Sequence, residues 1–325
     1  HKKWISNSLK DVVRTVILSC KEATKESYIE VLVEKHLKYD LEEDKKLVIL
    51  NAAICINRSD CSEKIVNTIL NFSEKIAVNG SLEIRIATIK LKKHFKDDMT
   101  RSEYVHEIKK IMGIDSNKES FRENLATMFL DNLKASTPWI VKVANIELLL
   151  EYVKTGSFKN QNDSELLHVA THFANLVKVS ETITVRKEAG KGLLSIISYM
   201  PLEQRNEIAV ELTKGLEIGD YQFSKYIPDY LGIIMLHLPP KELEEMILDL
   251  KKALDNGNEK VVSSVLNTFG VVIENYQIYG KNFNEDFKVT EQRKFRLLNL
   301  MIKAFAGYNY VTSQEAIWSL GTHVF

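Results

Sequence analysis

The chain is short of the residues that break helices. Five prolines and thirteen glycines in 325 residues disfavour an all-β or linker-rich protein and favour long helices. Cysteine is scarce too. Cys20, Cys55 and Cys61 are odd in number and match no zinc or redox spacing, which speaks for a reduced, cytosolic setting. No apolar run approaches the roughly 18 residues that a membrane helix needs, and no signal peptide is visible. An excess of one charge is also missing, since Lys+Arg and Asp+Glu both number 44. Residues 1–112 carry 21 basic and 17 acidic side chains and the rest carry 23 and 27, which is not the basic stripe of a nucleic-acid binder. The chain opens on His1 and stops at Phe325 within a helical pattern, so a fragment of a longer protein is expected.

What is present is helical periodicity almost everywhere. Apolar spacing predicts helices at about 8–21, 25–38, 42–56, 61–78, 82–95, 101–112, 118–134, 138–154, 164–178, 183–199, 202–217, 221–238, 240–254, 258–276, 289–306 and 311–325. Thr137-Pro138 pairs an N-cap with proline at the first helical position. Met200-Pro201 and Leu238-Pro239-Pro240 end one helix and open the next, and Asn256-Gly257 marks a helix stop. No segment alternates like a strand. The polar stretches 155–164 and 280–290 are surface loops rather than domain linkers.

The helices repeat. With Val185 as an anchor, apolar or small residues follow at Ala189, Leu193, Ile196 and Ile197. The same frame fits Phe223, Ile227, Leu231, Ile234 and Met235, then Val261, Val265, Phe269, Val272 and Ile273. These anchors are spaced 38 residues apart. An earlier copy begins at Val141, a looser one at Ile84, and a last one runs through Thr312, Ala316 and Leu320. A helix pair every ~40 residues is the mark of stacked helical repeats.

The stretch ITVRKEAGKGLLSI (183–196) resembles the second helix of a HEAT or armadillo-like repeat, with a Val-Arg pair, a small residue and then leucines. SLEIRIATIKL and TPWIVKVANIELLL are further echoes. The resemblance covers residues 140–325 and, more loosely, the first third. It implies an all-α fold, a right-handed α-solenoid of HEAT-like helix pairs. Residues 1–112 would form irregular N-terminal repeats, continuous in one superhelix with HEAT-like repeats over 113–325. The stretch NLATMFLDNLKASTPWIVKVANIELLLEYV also resembles the helical C-terminal region of large bacterial nucleotidyltransferase-like proteins, which implies a bacterial source. No catalytic residue carries over from that family.

Several motifs test for chemistry. Gly190-Lys191-Gly192 lacks the upstream glycine, the hydroxyl residue and the preceding strand of a phosphate loop, so it is read as helix. His168 and His172 lie four apart on one face, but Val169 stands where a zincin has glutamate and no third ligand is suggested, so a packed or solvent-facing pair is expected. Asp97 and Asp98 lack the third carboxylate of the helical cyclases and are read as helix caps. Lys90, Lys92, Lys93 and Lys96 are read as a solvated face. Tyr226, Tyr230, Tyr276, Tyr279, Tyr308 and Tyr310 are read as core tyrosines with wet hydroxyls.

Gly232, Gly270 and Gly321 all sit nine positions after their anchors, about 180° round the helix. Two causes compete: close approach of neighbouring second helices, or a smooth groove for a partner's backbone. The same face carries Lys187, Lys191, Lys225, Asp229, Ser263, Asn267, Gln314 and Trp318, which with the three glycines form a candidate partner groove. Trp318 is either an exposed anchor of that groove or the cover of a further repeat. The expectation is a non-catalytic, cytoplasmic protein-interaction scaffold or regulatory module of a larger protein. It binds another protein or another domain of its own chain, without cofactor, metal or membrane. Nucleic acid is the alternative partner, in the manner of HEAT-repeat alkylpurine DNA glycosylases, which the neutral balance disfavours.

Overall fold

A computed structural model describes residues 42–114, 133–154, 163–217, 224–279 and 286–324, apart from residues 55, 97, 135, 257, 308 and 309, together with Ser27 and Val31. Among the described residues the regular structure is helical throughout, with no strand. The helices expected at 8–21, 25–38 and 118–134 lie outside the described residues, apart from Ser27, Val31 and the end of the last, where Leu133 and Lys134 stand in a turn and a bend.

The chain divides into two compact units, His1–Leu148 and Leu149–Phe325. The first holds α1 (Glu43–Ala53), a 3₁₀ turn (Arg58–Asp60), α2 (Glu63–Ala77), α3 (Leu82–Phe95) and α4 (Arg101–Ile111). α5 (Trp139–Lys154) carries the division within it. Repeat regularity places a boundary after Met112. The compact unit runs further because Ile140, Val141, Ala144 and Leu148 of α5 are built into the first unit's core.

α3 is central to this unit, packing on α1, α2 and α4. Its Ile86, Ala87 and Leu91 are fully buried. Each large apolar side chain so removed from water contributes about 1.5–3 kcal/mol. α4 starts where it does because Thr100 and Glu103 form a capping box: the Glu103 N–H donates to Thr100 Oγ1 at 3.2 Å and the Thr100 N–H donates to Glu103 Oε2 at 2.7 Å. These bonds from Thr100 hold the Glu103 carboxyl below the usual carboxylate range. The lysine run of α3 is more engaged than a solvated face. Lys90 reaches Glu147 at 3.0 Å, Lys92 reaches Glu74 at 2.9 Å, and Lys93 donates to the Met99 carbonyl.

The second unit contains α6 (Asp163–Val179), α7 (Ile183–Ile197), α8 (Leu202–Glu217), α9 (Pro228–Met235), α10 (Pro240–Asn256), α11 (Glu259–Tyr279), α12 (Phe287–Gly307) and α13 (Tyr310–His323). α6 packs on α7, α8 on α9, α10 on α11 and α12 on α13. The first members contact one another from α6 to α8 and from α8 to α10. The second members do so from α7 through α9 and α11 to α13. The repeat frame marks this core: Val185, Ala189, Leu193, Ile196, Ile227, Leu231, Ile234, Val265, Phe269, Val272 and Ala316 are fully buried.

α9 is shorter than the span 221–238 predicts. Proline at 228 has no N–H and its ring crowds the preceding turn, so the regular helix starts there, after the turn at 225–227. At the other end Met235 is followed by a turn, with the His237 N–H donating to the Ile234 carbonyl at 2.8 Å.

Candidate interaction surface

The glycines resolve first. A Cβ on Gly232 would lie 2.7 Å from Val271 Cγ1 of α11, and one on Gly270 would lie 2.7 Å from Ser319 and His323 of α13. Gly190 is pressed by the Tyr230 ring of α9 and Gly192 by the Phe173 ring of α6. These four let neighbouring helices close on one another. Gly232 and Gly270 are buried and do not line an open groove, which corrects that part of the expected surface. Ser263 is a second correction: it is 3% exposed and donates to Glu315 of α13 at 2.9 Å. The physical reason is the number of neighbours. α11 touches α9, α10, α12 and α13, so the arc opposite its anchor is largely covered as well.

The remaining expected residues do reach the surface. Lys187, Lys191, Lys225, Asp229, Gln314, Trp318 and Gly321 are exposed, and Asn267 is half-buried. Trp318 is 58% exposed, with its ring edge-on to His323 at 6.3 Å. Gly321 differs from the other helical glycines, because a Cβ there meets nothing within 4 Å. Asn267 Oδ1 is buried and accepts no hydrogen bond from the protein.

The face is not basic. Lys191 pairs with Glu188 at 2.7 Å, and the Lys225 ammonium lies 5.2 Å from the Tyr226 ring centre. Asp229 lies close enough to Lys187, Glu274 and His323 to feel the charge of each. His323 in turn reaches Glu274 at 2.6 Å. One polar residue from each second helix therefore falls in a row: Lys187 on α7, Asp229 on α9, Glu274 on α11 and His323 on α13.

Burial pushes the Asp229 carboxyl up from the usual aspartate value, His323 and Lys187 oppose that, and Glu274 adds to it. Beside it, burial, followed by the charges of Asp229 and Glu188, pushes the Tyr230 phenol up to about 12. Glu188, Glu274 and His323 are the members that sequence reasoning leaves out. Glu274 was within reach, because it lies thirteen positions after Val261, on the same face as positions two and six.

The other motifs are structural in their contacts. His168 and His172 stack edge-on at 5.1 Å, and burial, then His168, lowers the His172 pKa. Among the described residues no group of three or more His, Cys, Asp or Glu is placed to hold a metal ion. Among them, too, no helix is long and apolar enough to cross a membrane. Tyr276 is 2% exposed with its hydroxyl against Arg293, and Tyr230 packs over Gly190. Asp97 and the side chains of Tyr308 and Tyr310 lie outside the described residues. No protein-family model matches the chain, and no curated protein matches its sequence.

Proposed function

We propose that this chain is a non-catalytic protein-interaction module, a right-handed α-solenoid of HEAT-like helix pairs serving as scaffold or regulatory arm of a larger cytoplasmic protein. The observation that carries the reading is the side-by-side succession of α7, α9, α11 and α13 with a polar row across it, ending at the exposed Trp318. An exposed tryptophan is a natural anchor, and the exposed Asp229 carboxylate offers an acceptor for a partner's donors. The row mixes signs, so the partner it suits carries both charges rather than an acidic stretch alone. The candidate surface is Lys187, Lys191, Lys225, Asp229, Asn267, Gln314 and Trp318, with Glu188, Glu274 and His323 added.

The test is affinity capture from source-cell lysate with the wild type, with Trp318→Ala and with the double swap Lys187→Glu/Lys191→Glu, each with and without nuclease. One protein captured by the wild type despite nuclease, and lost with both variants, supports the reading. Capture indifferent to both variants overturns the surface. Capture that nuclease abolishes, with a steep salt dependence, moves the chain to nucleic acid.

A further inference from the structure

Two successive turns of the second unit are tied together by one side chain. Arg205, near the start of α8, donates from Nε to the Met200 carbonyl at 2.9 Å and from Nη2 to the Ser198 carbonyl at 3.0 Å. Both acceptors belong to the turn between α7 and α8. Its Nη1 donates to the His237 carbonyl at 3.1 Å, in the turn between α9 and α10. The planar guanidinium thus divides its donors between two consecutive turns, which a single ammonium could not do.

The acceptor residue is itself titratable and buried. His237 is 7% exposed, and its ring lies 5.1 Å from that of Tyr279 of α11, centre to centre. Its Nδ1 lies 3.0 Å from the Ile233 carbonyl oxygen of α9. A carbonyl only accepts, so Nδ1 carries the hydrogen and a further proton can enter only at Nε2. Among the described residues no group accepts a hydrogen bond from Nε2. The ring therefore caps its own helix, and α9 is the shortest of the second helices at eight residues. Pro239 and Pro240 follow directly and cannot continue it.

We propose that these two turns form an acid-sensitive clasp, which the neutral His237 ring holds closed and which protonation of that ring opens. The new charge would stand in a dry site beside the Arg205 guanidinium, which keeps its own charge at any ordinary pH. No anion is at hand to pair with it. α8 presents Arg205, α11 presents Tyr279, α9 presents the Ile233 carbonyl, and from α10 neither Lys241 nor Glu242 pairs with the ring. The direction of titration agrees: burial lowers the His237 pKa, the Ile233 bond opposes this, and Arg205 lowers it further. The opened chain then takes the proton before the closed one does. Closure is complete above the unfolded value of 6.5 and weakens as pH falls from there to the folded value. One proton raises the open population by at most about tenfold per pH unit over that span. The clasp uses no residue of the polar row, so it stands whether or not that row binds a partner.

The experiment pairs a histidine ring titration by NMR with hydrogen exchange across the range from pH 7.5 to 5.5, corrected for intrinsic exchange rates. In the wild type the His237 ring should titrate below 6.5. Exchange in peptides spanning Ser198–Arg205 and Ile233–Pro240 should quicken as pH falls, by up to about tenfold per unit. His237→Phe keeps a ring against Tyr279 and His237→Gln keeps a donor for the Ile233 carbonyl, and neither titrates. Both should lose the acid dependence at these turns. Burial lowers the His172 pKa too, so His172→Gln serves as the control and should leave that dependence intact. Arg205→Met removes the neighbouring charge and should raise the His237 pKa, a change that a purely structural arginine would not produce. A wild-type His237 that titrates at or above 6.5 overturns the proposal. So does exchange at the two turns that ignores pH, or an acid response that survives in the His237 variants.

Discussion

Among the described residues Arg186 is the largest fully buried side chain, 1% exposed, and it should be a principal fastener of the first helix pair of the second unit. From α7 its guanidinium donates to the Ser180 carbonyl and, at 3.2 Å, to the Val177 carbonyl, both at the C-terminal end of α6. Those carbonyls belong to the set that a helix end leaves without intrahelical partners. The Tyr226 ring centre lies 6.0 Å from the guanidinium carbon. Replacing Arg186 with alanine removes two charge-assisted bonds of about 1.5–3 kcal/mol each and opens a cavity along the stem, against which relief of guanidinium desolvation returns several kcal/mol. The expected net cost is about 2–4 kcal/mol.

Arg186→Met keeps most of the packing and should cost about half as much. Arg186→Lys keeps the charge, but a single ammonium cannot serve both carbonyls in a planar fork, so it should fall between the other two. Urea unfolding followed by circular dichroism gives the three values. Hydrogen exchange read on peptides from α6 and α7 places the loss at the helix pair rather than in the other unit. An alanine variant within about 0.5 kcal/mol of wild type, or a methionine variant more stable than wild type, would refute the reasoning, because burial of the cation would then cost more than its bonds contribute.

Gly190→Ala should destabilise by about 1–3 kcal/mol despite a helix-propensity gain near 1, because its Cβ would lie 2.2 Å from the Tyr230 ring. Gly321→Ala, with open space around it, should instead raise the melting temperature. The hydrogen bond from Lys178 holds the Glu211 carboxyl below its ordinary range. A lowered folded pKa contributes stability above the unfolded value of 4.5 that is lost as pH falls through the folded one. Glu211→Gln should therefore cost stability at neutral pH, and a pH series of urea midpoints should show the gap closing in acid. Asp229 has the opposite sign. Its folded pKa is raised, so the charged form opposes folding at neutral pH and that penalty disappears below the unfolded value of 3.8. Asp229→Asn should stabilise at neutral pH, with the advantage gone in strong acid, and a wild type that is the more stable at pH 7 would refute the burial cost assigned to this carboxylate.

The parts legible in the sequence are those that depend on one neighbour at a time. A helix start is a local matter: Pro240 opens its helix as read, Pro138 stands one position before the first helical residue Trp139, and the cap read at Asp97 and Asp98 is instead Thr100, whose partner Glu103 three residues on was the missed signal. The anchor row of each second helix depends only on its paired first helix, and Val185, Val265 and Phe269 are accordingly buried. The opposite arc depends on helices tens of residues away in both directions, and there a wheel drawn for one buried face misleads. Gly270 is 180° from its anchor by that wheel, yet Ser319 and His323 sit on it. The run VVSSVLNTFGVVI (261–273) did hold a warning, because a helix apolar or small nearly all round has neighbours nearly all round. Arg186 hid for a related reason. A lone arginine in an apolar frame reads as a solvated residue until the end of α6, some six to nine residues upstream, is seen to aim its carbonyls at it. The polar row was legible in part: Lys187 and Asp229 fall on the predicted face and Glu274 continues its frame, whereas His323 lies off that frame and joins them only through the packing of four helices. Its reality therefore rests on how α7, α9, α11 and α13 pack, and the pH response of Asp229 is the measurement that reads that packing directly.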